Sequence, residues 1–334
     1  MPSISVLMPV YNAQRYLHDA ISSILSQRFE DFEFLIFNDG STDGSKEIIK
    51  FFNDPRIIFI DFSHNQGYVA LLNMGLRKAI GKYIARMDAD DISHPDRFNK
   101  QYEFMEKNHE YIVCGTRFNI LGKAEITQLP IDNDDIKSRM LSITPFCHPS
   151  VMMRTEVLQR HNLFYHAAYM PAEDQEFWCR LAEYGKFANL PETLLQYRVH
   201  DSNISLKERT LQQIQNLHIV RMNYIVKFFG KSIEPADAST LYTLLFKESN
   251  FTYEELLTCG ELLQEIIKTD NIFPVPSQKV HDLLAEKFFY RCTTSTDLGL
   301  RSFLLINRFD FVNPSFTAKF KLLIKALLKY KGVN

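Results

Sequence analysis

Residues 88–91 set three carboxylates, Asp88, Asp90 and Asp91, directly behind the apolar run 83–87. Like charges this close repel, so the cluster needs compensation. A divalent cation would supply it, because carboxylate oxygens suit Mg²⁺ or Mn²⁺, which keep coordination positions open for phosphate oxygens. Such an ion can hold a diphosphate leaving group and stabilise the charge building on it. The plainer alternative is a loop and helix cap ahead of Pro95, since Asp is a common turn and cap residue.

Two other loops carry chemistry of different kinds. "PVYNAQ" offers an aromatic face and an amide at Tyr11 and Asn12, just after Pro9. "FNDGSTDGS" offers the carboxylate of Asp39, which can accept hydrogen bonds from a base N–H. Turn formation explains the same residues, with Asp43 capping the next helix. Further on, Glu173 and Asp174 open a helical pattern, where acidic side chains also complement a helix dipole. His148 in "CHPS" either lines a substrate site or satisfies loop backbone. Trp178 either stacks on a flat or apolar face of a ligand or fills a core.

These residues need a frame. Short apolar runs at 4–10, 32–37, 56–62 and 82–88 suit buried parallel strands. Helical periods occupy 13–27, 43–52, 68–80 and 95–107, with Pro95 at a first helical position. The alternation predicts an α/β sheet covered on both faces, with ligands beyond the strands' carboxyl ends. Later strands are expected at 111–122, 150–154 and 194–200, and a helix at 172–185. From about 206 the pattern reads as helix, with breaks near Pro235, Pro274–Pro276 and Pro314. No GxGxxG follows a strand and no GxxxxGK[ST] occurs, which argues against a dinucleotide dehydrogenase or P-loop ATPase.

Taken in order, "ISVLMPVYN", "NDGSTDGS", "NQGYVALLNMGLRKAIGKYIARMDADD", "HPSVMMR" and "AEDQEFWCRL" resemble the family 2 glycosyltransferases. The resemblance spans about 1–200 and implies a GT-A fold, a Rossmann-like nucleotide-sugar-binding mixed sheet flanked by helices. It implies a catalytic domain at 1–205, and the helical pattern beyond it predicts a mainly helical C-terminal domain at 206–334 with an acceptor or membrane-surface role. It also implies an inverting transfer from a nucleotide-sugar, a UDP-sugar, to a hydroxyl of a glycan or lipid-linked acceptor, in bacterial surface polysaccharide synthesis.

Residue roles follow from the same resemblance. Pro9, Tyr11, Asn12 and Asp39 are expected around the nucleoside, and Asp88, Ala89, Asp90 and Glu173 around the rest of the donor. Asp90 and His200 are expected on Mn²⁺ or Mg²⁺. Asp174 matches the catalytic base, and Asp91, His148 and Arg198 are further substrate-site candidates. Arg77, Arg86, Arg154 and Arg198 are all candidates for the diphosphate. The Q-x-x-R-W motif of processive synthases is absent, the nearest match being "QYRVH". Two alternatives stay open: a non-catalytic nucleotide- or carbohydrate-binding protein on this scaffold, and a sugar nucleotidyltransferase, against which the lack of a glycine-rich basic first loop counts.

Composition sets outer limits. A hydrophobic content of 46% predicts a globular chain, and a net charge of −2 gives no general attraction to nucleic acid. Five scattered cysteines without CxxC or zinc spacing fit reduced thiols. The first apolar run is far too short for a signal peptide, so a cytoplasmic location is expected. Within 315–331, Phe316, Phe320, Leu323, Ile324 and Leu327 share one helical face and lysines fall elsewhere. Such a helix either packs on its domain or lies on the anionic inner face of a membrane.

Overall fold

The computed structural model describes residues 1–201, 210–230, 233–248, 250–268, 275–295, 298 and 300–312. The chain divides into two compact units, 1–136 with 144–220 and 137–143 with 221–334. The helix expected within 315–334 lies outside the described residues.

The first unit is built on a mixed sheet. Its strands are β1 (Ile4–Val10), β2 (Phe32–Asp39), β3 (Ile57–Phe62), β4 (Tyr83–Arg86), β5 (Ile92–Ser93), β6 (Tyr111–Ile120), β7 (Met152–Arg154) and β8 (Lys186–Tyr197). Their spatial order is β3-β2-β1-β4-β7-β6-β8-β5. β1 is parallel to both β2 and β4, while β7 runs antiparallel to β4 and β6. Every residue of β1 and β2 is buried, which is why these strands read as unbroken apolar runs rather than alternating ones. The accompanying helices include α1 (Leu17–Leu25), α2 (Ser45–Phe51), α3 (Tyr68–Lys78), α4 (Arg97–Lys107), the first part of α5 (Asn133–Arg139), α6 (Thr155–Arg160) and α7 (Glu173–Leu181). α1 turns Leu17, Ala20, Ile21 and Ile24 onto the sheet core with Val6, Met8 and Phe34.

Successive strands step one way from β1 to β3, and β4 lies on the other side of β1. That reversal is the switch point at which α/β sheets bind ligands. Pro9 sits there. The Met87 N–H bonds to the Leu7 carbonyl, so Leu7 and Pro9 face β4, but the β1–β4 ladder stops at Leu7–Arg86. The missing proline N–H therefore costs no ladder bond.

Two expected boundaries shift. α4 starts at Arg97 behind Asp96, so Pro95 precedes the helix instead of opening it. β8 begins at Lys186, well before the expected 194. Its pairing with β6 jumps from Thr116–Leu190 to Arg117–Thr193, leaving Pro191 and Glu192 out of register. A proline fits such a bulge because no ladder donor is needed there.

The remaining helices are α8 (Leu211–Phe229), α9 (Pro235–Phe246), α10 (Tyr253–Lys268), α11 (Ser277–Thr294) and α12 (Leu300–Arg308). Pro235 opens α9 and Pro276 precedes α11, as their fixed backbone angles favour. Gly260 lets α10 approach Phe309 so closely that a Cβ would lie 2.2 Å from the ring. Among the described residues no helix is long and apolar enough to cross a membrane. All five cysteines are buried free thiols.

Candidate functional site

The loop after β1 and the loop after β2 are stitched together. Asn12 takes a left-handed backbone (φ 49°), which asparagine tolerates. Its Oδ1 accepts the Thr42 N–H at 2.9 Å, and its own N–H donates to Ser41 Oγ at 3.0 Å. The Ala13 N–H donates to Ser45 Oγ and the Gln14 N–H to Asp43 Oδ2. Asn12 thus shapes this rim, while Tyr11 beside it is 53% exposed.

Asp39 ends β2 at 2% exposure. Its Oδ1 accepts the Gln66 N–H at 2.6 Å and its Oδ2 the Gly67 N–H at 3.2 Å. Gly40 follows with φ +66°, and a Cβ there would sit 2.7 Å from the His64 carbonyl carbon. Asp39 therefore anchors the loop leading into α3, and each oxygen keeps a second lone pair for a ligand.

The acidic cluster follows β4 at the switch point. One carboxylate oxygen from each of Asp88, Asp90 and Asp91 lies within 4.8 Å of the other two, with the nearly buried Ala89 between the first two residues. Asp88 is clamped by Arg86, whose Nη1 donates to Oδ2 at 2.7 Å and whose Nη2 reaches Oδ1. Burial, opposed by Arg86 and reinforced by Asp90, pushes the Asp88 carboxyl up to about 6. Asp91 is buried. Its Oδ1 accepts the Arg198 N–H at 2.8 Å, and its Oδ2 has no hydrogen-bond partner among the described residues. Burial and the charges of Asp88 and Asp90 hold Asp91 well above the usual carboxylate range.

β8 delivers the other half of this cluster. The Arg198 Nε–H donates to the Asp90 carbonyl at 2.7 Å, and the guanidinium lies 4.4 Å over the Tyr16 ring. Tyr16 stacks on His200 at 4.8 Å between centroids, and His200 Nε2 lies 2.9 Å from Asp90 Oδ2. Tyr16, at the head of α1, received no role from sequence because it fits the helix's apolar spacing. Three crowded carboxylates, one oxygen buried without a partner, and an imidazole in contact form a donor set that fits Mg²⁺ or Mn²⁺.

A third wall comes from α7 and the turn at 148–150. Glu173 is 8% exposed and its Oε2 lacks a partner among the described residues. Burial, with Asp174 adding its charge, pushes Glu173 up to about 7. Asp174 accepts the Gln175 N–H at 2.6 Å, and burial raises its carboxyl above the usual range against that bond. A raised carboxylate is a stronger base. His148 is not spent on backbone. It contacts the phenols of Tyr68 at 3.4 Å and Tyr165 at 2.8 Å. Trp178 is fully buried against Phe146 and His148, so it fills the core beneath the site.

The candidate arginines separate by place. Arg154 bonds to the Met105 and Tyr111 carbonyls beside Tyr83, at the far end of β4, and Arg77 covers the Phe164 ring. Arg86 and Arg198 lie in the acidic cluster. Arg97 was missed by sequence reading. Fully buried, it donates to the Pro149 carbonyl at 2.7 Å and the Arg86 carbonyl at 3.3 Å, tying β4 to the His148 turn.

Comparison with known proteins places this geometry. The sequence model described as Glycosyl transferase family 2 matches residues 5–162. The Bacillus subtilis protein EpsE, named as a glycosyltransferase, is 36% identical over 222 residues, covering 63% of this chain and 77% of its own. The amylovoran biosynthesis glycosyltransferase AmsE of Erwinia amylovora is 29% identical over 235 residues, covering 68% of this chain and 87% of its own. The crystal structure of S. aureus TarS 1–349 in complex with UDP-GlcNAc superposes with a TM-score of 0.61 at 15% identity, covering 99% of this chain and 92% of that one.

Proposed function

This chain belongs to glycosyltransferase family 2, and from that membership we propose that it is a metal-dependent, inverting enzyme transferring a hexosyl or N-acetylhexosaminyl group from a UDP-sugar to a glycan or lipid-linked hydroxyl. The observation that carries this reading is the Asp88–Asp90–Asp91 cluster, with His200 on Asp90, at the sheet's switch point. Tyr11, Asn12 and Asp39 line the nucleoside side of that point. Asp90 and His200 would hold Mg²⁺ or Mn²⁺, with Asp88 and Asp91 beside them. When bound, the cation supplies positive charge against the diphosphate.

Asp174 takes the proton of the acceptor hydroxyl as that oxygen bonds to the anomeric carbon. The bond from that carbon to the diphosphate oxygen breaks in the same displacement, and UDP leaves with the electron pair. One displacement inverts the anomeric centre. Arg86 holds Asp88, and Arg198 holds Asp91 and the Asp90 carbonyl, so the acidic loop is preorganised. We place the enzyme in the cytoplasm, building surface polysaccharide. The chemistry belongs to the first unit, and peripheral membrane contact rests on residues 315–334.

Titrating the protein with UDP, GDP and dTDP by calorimetry, with and without Mn²⁺, tests the assignment. UDP binding that requires Mn²⁺ is expected, and Asp90→Ala should weaken it by roughly 10–100-fold. Unchanged Mn²⁺-dependent affinity in Asp90→Ala would remove Asp90 from the cation. Absence of nucleotide binding in every condition would overturn the transferase reading.

A further inference from the structure

A line of hydrogen bonds runs from the acidic cluster toward the acid pair of α7, and beyond Arg86 its members, Tyr68, His148 and Tyr165, play no part in the reaction described above. Arg86, only 3% exposed, clamps Asp88 and also donates from Nη2 to the Tyr68 hydroxyl at the start of α3. The Tyr68 hydroxyl contacts His148 Nδ1 at 3.4 Å, and His148 Nε2 contacts the Tyr165 hydroxyl at 2.8 Å. The surroundings hold each ring. Asn73 clamps the Tyr165 backbone twice, accepting its N–H and donating to its carbonyl, both at 2.8 Å. The Tyr165 ring lies 4.1 Å from that of Phe177 on α7, and Trp178 meets His148 edge-on.

The direction of the line follows from donor and acceptor counts. A guanidinium only donates, so the Tyr68 oxygen accepts from Arg86. The Tyr68 proton is then free for His148 Nδ1. Burial and the Arg86 charge keep His148 well below its ordinary pKa, so the ring is neutral and carries one proton. With Nδ1 accepting, that proton sits on Nε2 and is donated to the Tyr165 oxygen. Reversed, the Tyr68 oxygen would accept from both Arg86 and His148, and its own proton would be left over beside a guanidinium. In the forward direction the proton left over belongs to Tyr165. Burial, opposed by Arg86 and reinforced by Asp174 and Glu173, holds that phenol protonated.

We propose that Tyr68, His148 and Tyr165 form a one-way hydrogen-bond relay anchored on Arg86, whose terminal Tyr165 O–H, on a ring packed against the helix that Glu173 and Asp174 open, is a positioning donor for the acceptor. It meets the oxygen of the acceptor hydroxyl that Asp174 deprotonates. An acceptor oxygen giving its proton to Asp174 and receiving one hydrogen bond from Tyr165 keeps a single lone pair for the anomeric carbon. Orientation of this kind lowers the barrier without changing the nucleotide's contacts. The role of Asp174 is taken from the function proposed above, whereas the direction of the relay is independent of it.

The tautomer of His148 is the direct test, read by NMR on the whole protein with ¹⁵N-labelled histidine. The chain has ten histidines, so the signal is assigned by its loss in His148→Gln. A proton on Nε2 and a bare Nδ1 are expected at neutral pH without substrate. A proton on Nδ1, or persistence of the wild-type state in Tyr68→Phe, would overturn the relay whether or not the protein is an enzyme. The kinetic readout is UDP release into water from the best substrate in a panel of UDP-hexoses and UDP-N-acetylhexosamines. Tyr68→Phe and Tyr165→Phe should each lower kcat about tenfold with UDP affinity unchanged, and the double variant should fall no further than about tenfold. Losses that multiply to about a hundredfold would show two independent residues and no relay. If instead Asp174→Asn keeps full transfer, the base assignment fails while the tautomer result stands.

Discussion

Asp174→Asn is expected to slow sugar transfer by about 10²–10⁴-fold while leaving Mn²⁺-dependent UDP affinity unchanged. The two side chains are nearly the same size, so the start of α7 keeps its packing. The carbonyl oxygen of asparagine can still accept the Gln175 N–H that Asp174 accepts now. What disappears is the capacity to take a proton. Asp174 owes its raised pKa first to burial, so its charged form is held in a dry setting where accepting a proton is favourable. Transfer rates from single turnovers, compared with UDP titrations of the same preparation, separate the two effects. Full transfer by Asp174→Asn would move the base elsewhere, with Glu173 next in line. Loss of UDP affinity together with rate would make Asp174 a donor-binding residue.

Sequence carried the sheet's first half well because β1, β2 and β4 are buried on both faces and their composition has no competing explanation. It was weaker where one residue serves two ends. Pro191 breaks the apolar pattern of β8, and only the pairing with β6 reveals that the strand continues past it as a bulge. The acidic cluster was legible because three carboxylates at a strand end require compensation. The partners that organise it were not. Arg86 stands out as a charge inside an apolar strand, but its partners, Asp88 and Tyr68, emerge only once α3 is docked. Tyr68 and Tyr165 carry polar tips on rings that read as core, so their hydroxyls gave no sequence signal. Asp39 offered two readings, turn residue and base acceptor, and its bonds to the Gln66 and Gly67 N–H groups account for a structural share of its work.

Glu173→Gln is expected to stabilise the protein at pH 8 and to leave it nearly unchanged at pH 5. Burial, with Asp174 beside it, raises Glu173 from 4.5 to about 7 in the fold. The folded state therefore binds this proton more tightly than the unfolded chain. Its contribution to stability is complete below pH 4.5 and is lost as the pH rises through 7. At pH 8 the native state carries a buried, ionised carboxylate with an oxygen that has no hydrogen-bond partner among the described residues. A shift of this size corresponds to about 3 kcal/mol between low and high pH. Glutamine keeps the shape and cannot ionise, so the variant should gain about 2–3 kcal/mol at pH 8. Urea unfolding at pH 5 and pH 8 reads the difference directly. An equal effect at both pH values would show that Glu173 is not the titrating group. The same variant should lose transfer activity if Glu173 meets donor or acceptor sugar. Stability gained at the expense of turnover is the signature of a charge retained for chemistry rather than for the fold.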